Sequence, residues 1–231
     1  VGFIELVTGP SLGGMQALEW PLMYPERVGS VVPIGVGGRH SAWCIGVSEA
    51  QRAAIAADPN WQGGYYTDDA PPAQGLAAAR MMAVCTYRSW DSFEARFGRE
   101  KHSADLYQAQ SYLQHQGRKI NERFDANTYV TLTHAMHTHD LARGRGSYPE
   151  VLKQILQPTL VVSVSSDTLY PPAEQQVLAE HLPAAEYRVL ESAHGHDGFL
   201  IETGELGRMI ADFRLANRRR ATLRAVSSGR E

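Results

Sequence analysis

Cysteine is scarce in this chain: Cys44 and Cys85 are the two present in 231 residues, and no short pairing motif joins them. That excludes a disulfide framework and points to a reducing, cytoplasmic setting. A charge excess of one sign is also missing. Twenty-two basic residues face 25 acidic ones, a formal net charge of −3, so no electrostatic case exists for nucleic acid as the main partner. Apolar runs are no longer than a strand, which argues against a membrane-spanning helix, and no signal-peptide pattern is visible. The one basic run, Arg218-Arg219-Arg220 with Arg224 and Arg230, lies among Ala, Ser and Gly near the end and reads as a flexible basic tail over 217–231. What is abundant is ordinary: 43% hydrophobic and 20% charged residues, enough for one sizeable core.

The chain opens with a strand-turn-helix pattern. Residues 4–9 (IELVTG) read as a buried strand. "LGGMQALEWPLMYPER" follows as a helix, with Met15, Leu18, Leu22 and Met23 at helical spacing. "VGSVVPIGVGG" (28–38) is a second buried strand. Continuous apolar strands alternating with helices predict a parallel α/β sheet covered on both faces. Over roughly 40–150 that rhythm stops, no convincing strand is present, and helices are expected over 48–57, 75–86 and 104–117, as a lid inserted into the sheet. The strand rhythm returns at 158–167, then a helix over 173–182, a strand over 186–192 and a helix over 199–214. The division is therefore an elbow-bearing core over 1–39, a helical lid over 40–150, the rest of the core over 151–216 and the tail.

Gly9-Pro10-Ser11-Leu12-Gly13 fits G-x-S-x-G between strand and helix, the setting of a nucleophile elbow. The glycines two before and two after the serine are expected to lack side chains so that the turn can close. The helix start favours developing negative charge, and the Leu12 amide would be one oxyanion donor. The alternative is that Ser11 only caps the helix. A nucleophilic serine needs a base, and the base a carboxylate. Asp167 ends the strand "LVVSVSSD", and His196 follows the next strand in "SAHGHDGF", the chain order serine, acid, histidine. Asp167 could instead cap a turn. His196 is preferred over His194 because of its tighter glycine turn, and Asp197 either caps the last helix or faces substrate. In the lid, Arg80 and Tyr87 stand seven apart, on one helix face; they could hold a carboxylate, or the arginine could be solvated. His134, His137 and His139 with Asp140 lack metal-ligand spacing, and no metal is expected.

The stretches "GPSLGGMQALEW", "VVPIGVGGRHSAW", "GLAAARMMAVCTYRS", "SYLQHQGRKINERFDANTYVTLTHAM" and "GHDGFL" resemble, in this order, the homoserine O-acetyltransferases. These are acyltransferases of α/β-hydrolase fold, grouped with deacetylcephalosporin C acetyltransferase and serine O-acyltransferases. The resemblance implies Ser11, Asp167 and His196 as catalytic residues, Arg80 and Tyr87 at the substrate carboxylate, and Asp197 at its amino group. It implies a ping-pong transfer from acetyl-CoA, a co-substrate rather than a bound cofactor, to L-homoserine in methionine biosynthesis, by a homodimer. Other readings are another hydroxyl acceptor or acyl donor (serine, deacetylcephalosporin C, succinyl-CoA), hydrolysis, or a non-catalytic fragment. Pro10 and Leu12 depart mildly from the family pattern. Ten residues precede Ser11 where the family has a long segment bearing the second oxyanion donor. A truncated chain is therefore expected, with the elbow strand at a sheet edge. Losing one such donor costs about 10²–10³ in rate, so weak activity is expected of it alone.

Overall fold

In the computed structural model, residues 2–228 are described, with side chains up to Arg219. The strand-turn-helix opening forms β1 (Val7–Pro10) and α1 (Leu12–Met23), and β2 (Val31–Ile34) follows. Six helices then come between β2 and the next core strand: α2 (Ala42–Ala56), α3 (Ala73–Tyr87), α4 (Trp90–Phe97), α5 (Gln108–Ile120), α6 (Ala126–His137) and α7 (Tyr148–Leu152). Between α4 and α5 lies a hairpin of β3 (Lys101–Ser103) and β4 (Leu106–Tyr107), so this region is not free of strands as expected. The hairpin is short, β3 is wholly exposed, and its polar sequence carries no apolar alternation to betray it. The core resumes with β5 (Thr159–Val164), α8 (Pro172–His181), β6 (Ala185–Leu190), α9 (Gly198–Ile201) and α10 (Thr203–Ser228).

The main sheet is parallel in the order β1-β2-β5-β6. Among the described residues β1 is an edge, as expected for the elbow strand. Every residue of β2 and β5 is buried, which is why these strands read as unbroken apolar runs. Alternate side chains serve opposite faces. Val32, Ile34, Leu160, Val162, Val164 and Leu190 pack with Leu206, Met209 and Phe213 of α10. On the other face Val161 joins Met15 and Leu18 of α1 and Leu178 of α8. A separate lid cluster gathers Ile55, Leu76, Ala79, Ile120 and Ala126.

Several boundaries differ from expectation: β2 takes up Val31–Ile34 of the run 28–38, α2 starts at Ala42 rather than residue 48, and α5 is Gln108–Ile120 rather than 104–117. The helix expected over 199–214 is divided at Glu202 into α9 and α10, and α10 continues to Ser228. The basic stretch expected as a flexible tail from residue 217 therefore begins inside a helix, where Arg214 and Arg218 pair with Glu5 beside β1. Residues 229–231, and the side chains from Arg220 onward, lie outside the described residues.

Candidate active site

Ser11 sits at the break between β1 and α1 with φ 52° and ψ −125°, a conformation non-glycine residues rarely adopt and one that costs about 1–3 kcal/mol. Its amide donates to the Ile34 carbonyl at 2.9 Å, and its carbonyl accepts from Gly14 at 2.8 Å. Its side chain makes no capping hydrogen bond, so the helix-cap reading fails. Leu12 is the first residue of α1, and first-turn amides have no partner within their helix. The glycine requirement of the turn differs from the expected one. A Cβ at Gly9 would lie 2.4 Å from the Gly13 backbone, and one at Gly14 would lie 2.5 Å from Val36. At Gly13 it would meet nothing closer than Pro10 Cδ at 3.7 Å, an ordinary contact. The strand backbone crosses so near the first turn of α1 that Gly9 and Gly14, rather than Gly9 and Gly13, are the positions without room.

Asp167 and His196 come from the loops after β5 and β6, neighbouring strands of the sheet, and both are 3% exposed. His196 Nδ1 lies 2.6 Å from Asp167 Oδ2. The amides of Leu169 and Tyr170 both donate to Asp167 Oδ1 at 2.9 Å, which fixes the carboxylate plane. With Nδ1–H given to Asp167, the opposite nitrogen Nε2 is the basic one. Among the described residues Nε2 is buried and has no hydrogen-bond partner. The structure thus joins acid and base but does not join Ser11 to His196 by a hydrogen bond. Gly35 connects the two halves of the site. It follows the Ile34 carbonyl that holds Ser11, and a Cβ on it would lie 3.5 Å from His196 and 3.6 Å from Asp167.

Aromatic rings enclose the imidazole. Tyr170, Tyr87 and Phe199 have ring centroids 5.3, 6.0 and 5.2 Å from that of His196. His194 Nδ1 instead lies 3.5 Å from Ser92 Oγ, and of the two histidines it is His196 that meets Asp167. The turn between them needs its glycine. Gly195 has φ +68°, and a Cβ there would lie 2.6 Å from the amide nitrogen of Ser89, the cap of α4 just after α3. The lid helix is therefore pressed backbone to backbone onto the base-bearing loop, and Ser89 Oγ donates to the Ala193 carbonyl across the same junction.

That junction brings the lid residues to the site. The Arg80 guanidinium carbon stands 5.5 Å from the centre of the Tyr87 ring. Burial pushes the Tyr87 phenol up, opposed by the charge of Arg80. Asp197 starts α9 without a capping bond from its side chain; it pairs instead with Arg88, Nε to Oδ2 at 3.3 Å. Burial raises the Asp197 carboxyl above its ordinary value, while Arg88, His196 and Arg80 pull it back. Arg88 and Tyr170 are the members that sequence reasoning missed. Arg88 directly follows Tyr87 and could have been read with it; the role of Tyr170 depends on its ring contact and left no signal.

Among the lid histidines, the rings of His134 and His137 have centroids 6.0 Å apart. His137 Nε2 lies 3.3 Å from Arg52 Nη1, and His139 Nε2 lies 3.0 Å from the Gly37 carbonyl.

A family model described as alpha/beta hydrolase fold matches residues 6–203. The chain belongs to the alpha/beta hydrolase fold family. Curated relatives include homoserine O-acetyltransferases of Nostoc punctiforme, 61% identical over 212 residues (90% of this chain, 60% of the relative). That of Chlorobaculum parvum is 54% identical over 211 residues, covering 91% of this chain and 59% of the relative. The chain spans about 60% of the length of the curated relatives it matches. Among solved structures, homoserine O-acetyltransferase from Bacillus anthracis has a TM-score of 0.86 at 23% identity, covering 93% of this chain and 60% of that one. Esterase E22 superposes with a TM-score of 0.85 at 23% identity, covering 93% of this chain and 62% of that one, a likeness of fold. Among the described residues no helix is long and apolar enough to cross a membrane.

Proposed function

We propose that this chain carries the acyl-transfer centre of a homoserine O-acetyltransferase. The observation that carries the reading is the buried Asp167–His196 pair, with Nε2 left open for a hydroxyl, on a chain 61% identical to an enzyme of that name. His196 takes the Ser11 proton as the serine oxygen attacks the thioester carbonyl of acetyl-CoA. Charge on the carbonyl oxygen develops opposite the Leu12 amide. When the carbon–sulfur bond breaks, the CoA thiolate leaves with the proton from His196, and Ser11 carries an acetyl ester. The acceptor hydroxyl then gives its proton to His196 and attacks that ester, which releases O-acetyl product and returns the proton to Ser11.

L-Homoserine suits the charges around the base. Arg80, with the Tyr87 hydroxyl, would take its carboxylate by charge-assisted hydrogen bonds, and Asp197 its ammonium group. Incubation with acetyl-CoA should leave an acetyl group on Ser11, read by mass spectrometry, and L-homoserine should remove it. Ser11→Ala should abolish the adduct; an adduct that persists in this variant overturns the assignment. We further propose a cytoplasmic homodimer joined through the lid. Trp43, Ile45, Met82 and Leu132, on α2, α3 and α6, are large apolar side chains left exposed there. Sedimentation velocity checks it, a monomer at micromolar concentration being the adverse result.

A further inference from the structure

Arg88 is unexplained by the transfer chemistry. It closes α3 at the point where the lid meets the base-bearing loop, and its backbone is in near contact with Gly195, where a Cβ would lie 2.7 Å from Arg88 C. The side chain turns to Asp197, with Nε 3.3 Å from Oδ2, and both side chains are mostly buried, 19% and 26% exposed. Such a pair is far from the solvated surface pairs that contribute little. The groups facing Asp197 are Arg88 and Arg80 from α3, and His196 and Asp167 from the core loops. Tyr87 completes the surroundings from the lid, its own phenol responding to Arg80 and Asp197. Two guanidinium groups thus stand with two carboxylates, of which Asp167 is taken by His196 Nδ1 and Asp197 is the other. A zwitterionic acceptor adds one charge of each sign: its carboxylate has Arg80, and its ammonium must share Asp197 with Arg88.

We infer that Arg88 is a positioning residue that holds the Asp197 carboxylate in place as the receptor for the ammonium group of an α-amino-acid acceptor, and thereby selects amino acids over plain hydroxy acids. This rests on the acceptor proposed above. One guanidinium Nε–H can bind one carboxylate oxygen and leave Asp197 Oδ1 to receive the ammonium, so the two cations share the carboxylate without competing for one atom. Without Arg88, the half-buried carboxyl loses the opposite charge that acts on it most strongly and takes up a proton more readily.

The experiment uses the full chain labelled with carbon-13 at aspartate carboxyls, with the Asp197 signal assigned through Asp197→Asn. Arg88→Gln should raise the titration midpoint of Asp197 by about one pH unit, and Arg88→Lys, which keeps the charge, should restore most of it. Binding is then followed by NMR titration with L-homoserine and with 4-hydroxybutanoate, which has the same hydroxyl and carboxylate but no amine. Arg88→Gln should weaken L-homoserine about tenfold, the scale of one charged hydrogen bond, and leave 4-hydroxybutanoate unchanged. An Asp197 midpoint that does not move, or equal weakening of both ligands, overturns the inference. If the unsubstituted chain binds neither ligand, the homoserine reading fails, and the Asp197 midpoint still decides whether Arg88 holds that carboxylate.

Discussion

At Ser11 a positive φ takes the residue out of the extended conformation of a helix cap, and the hydroxyl makes no cap bond. The strain is sustained by backbone contacts on both sides, the Ile34 carbonyl before the turn and the Gly14 amide after it. Those contacts bring β1 and α1 so close that the glycines are not equivalent. Gly9→Ala would drive a methyl group into the Gly13 carbonyl, an overlap with rigid backbone, and should destabilise the fold by about 1–3 kcal/mol or more. Gly14→Ala should behave similarly against Val36 and the Gly9 carbonyl. Gly13→Ala has room and lies in a helix, so it should be neutral or stabilising by up to about 1 kcal/mol. Thermal melts of the three variants check the ranking. Equal losses at Gly9 and Gly13 would show that the turn does not close as described. The pattern G-x-S-x-G located the turn between β1 and α1 because strand and helix periods flank it, but a pattern of letters cannot say which glycine the backbone crosses.

The elements themselves were largely legible. β2 and β5 are buried on both faces and show as apolar runs, and α1 shows by spacing. The β3–β4 hairpin escaped because it buries nothing on one strand, and pattern reading detects burial, not hydrogen bonding. Junctions between elements escaped too, His40 among them. It follows β2, is 8% exposed, and its Nδ1 lies 3.3 Å from the Tyr170 hydroxyl, on the ring that packs against His196. Its backbone amide bonds the His139 carbonyl just beyond α6, and its ring lies 5.5 Å from that of His137. Burial, then His137, His139 and Arg52, push its pKa down from 6.5 to about 4. The folded protein therefore keeps His40 neutral where the unfolded chain would protonate it. The sign follows: stability is fully present above about pH 6.5 and is lost as pH falls from there toward 4. His40→Phe should flatten the decline of melting temperature across that window, leaving the smaller slope due to His137 and His139, whose pKa values burial also lowers. An unchanged slope would mean that His40 is protonated in the folded state.

For the molecule as a whole, the division of the core decides how it opens. The two sheet clusters contain residues of α1, α8 and α10 together with the strands, and one of them also takes in Cys44 of α2 and Val151 and Leu152 of α7; Ile55, Leu76, Ala79, Ile120 and Ala126 form a lid cluster apart from both. Ties between the two parts include Trp43 and Cys44 of α2, which donate to the carbonyls of Thr168 and Leu169, and Arg145, which pairs with Glu19 of α1. The Gly195 turn presses on Arg88 and Ser89, Arg88 pairs with Asp197, and His40 binds the His139 carbonyl. A part with its own apolar cluster opens before the rest where exposing that cluster costs less than exposing the core of the sheet. Native-state hydrogen exchange in rising denaturant should therefore resolve two groups of amides. Those of β5, bonded to β2 and β6 and buried at all six residues, should exchange only through global unfolding. Those of α3 and α5 should exchange together at a lower free energy and with a smaller denaturant slope, reflecting the smaller surface exposed. A single isotherm covering β5, α3 and α5 would show that lid and sheet unfold as one unit. Arg88→Gln, which cuts the ion pair at the junction, should lower the α3 and α5 group while leaving the gap between β5 and global unfolding closed. The junction at which Arg88 pairs with Asp197 is then the point from which this part comes away.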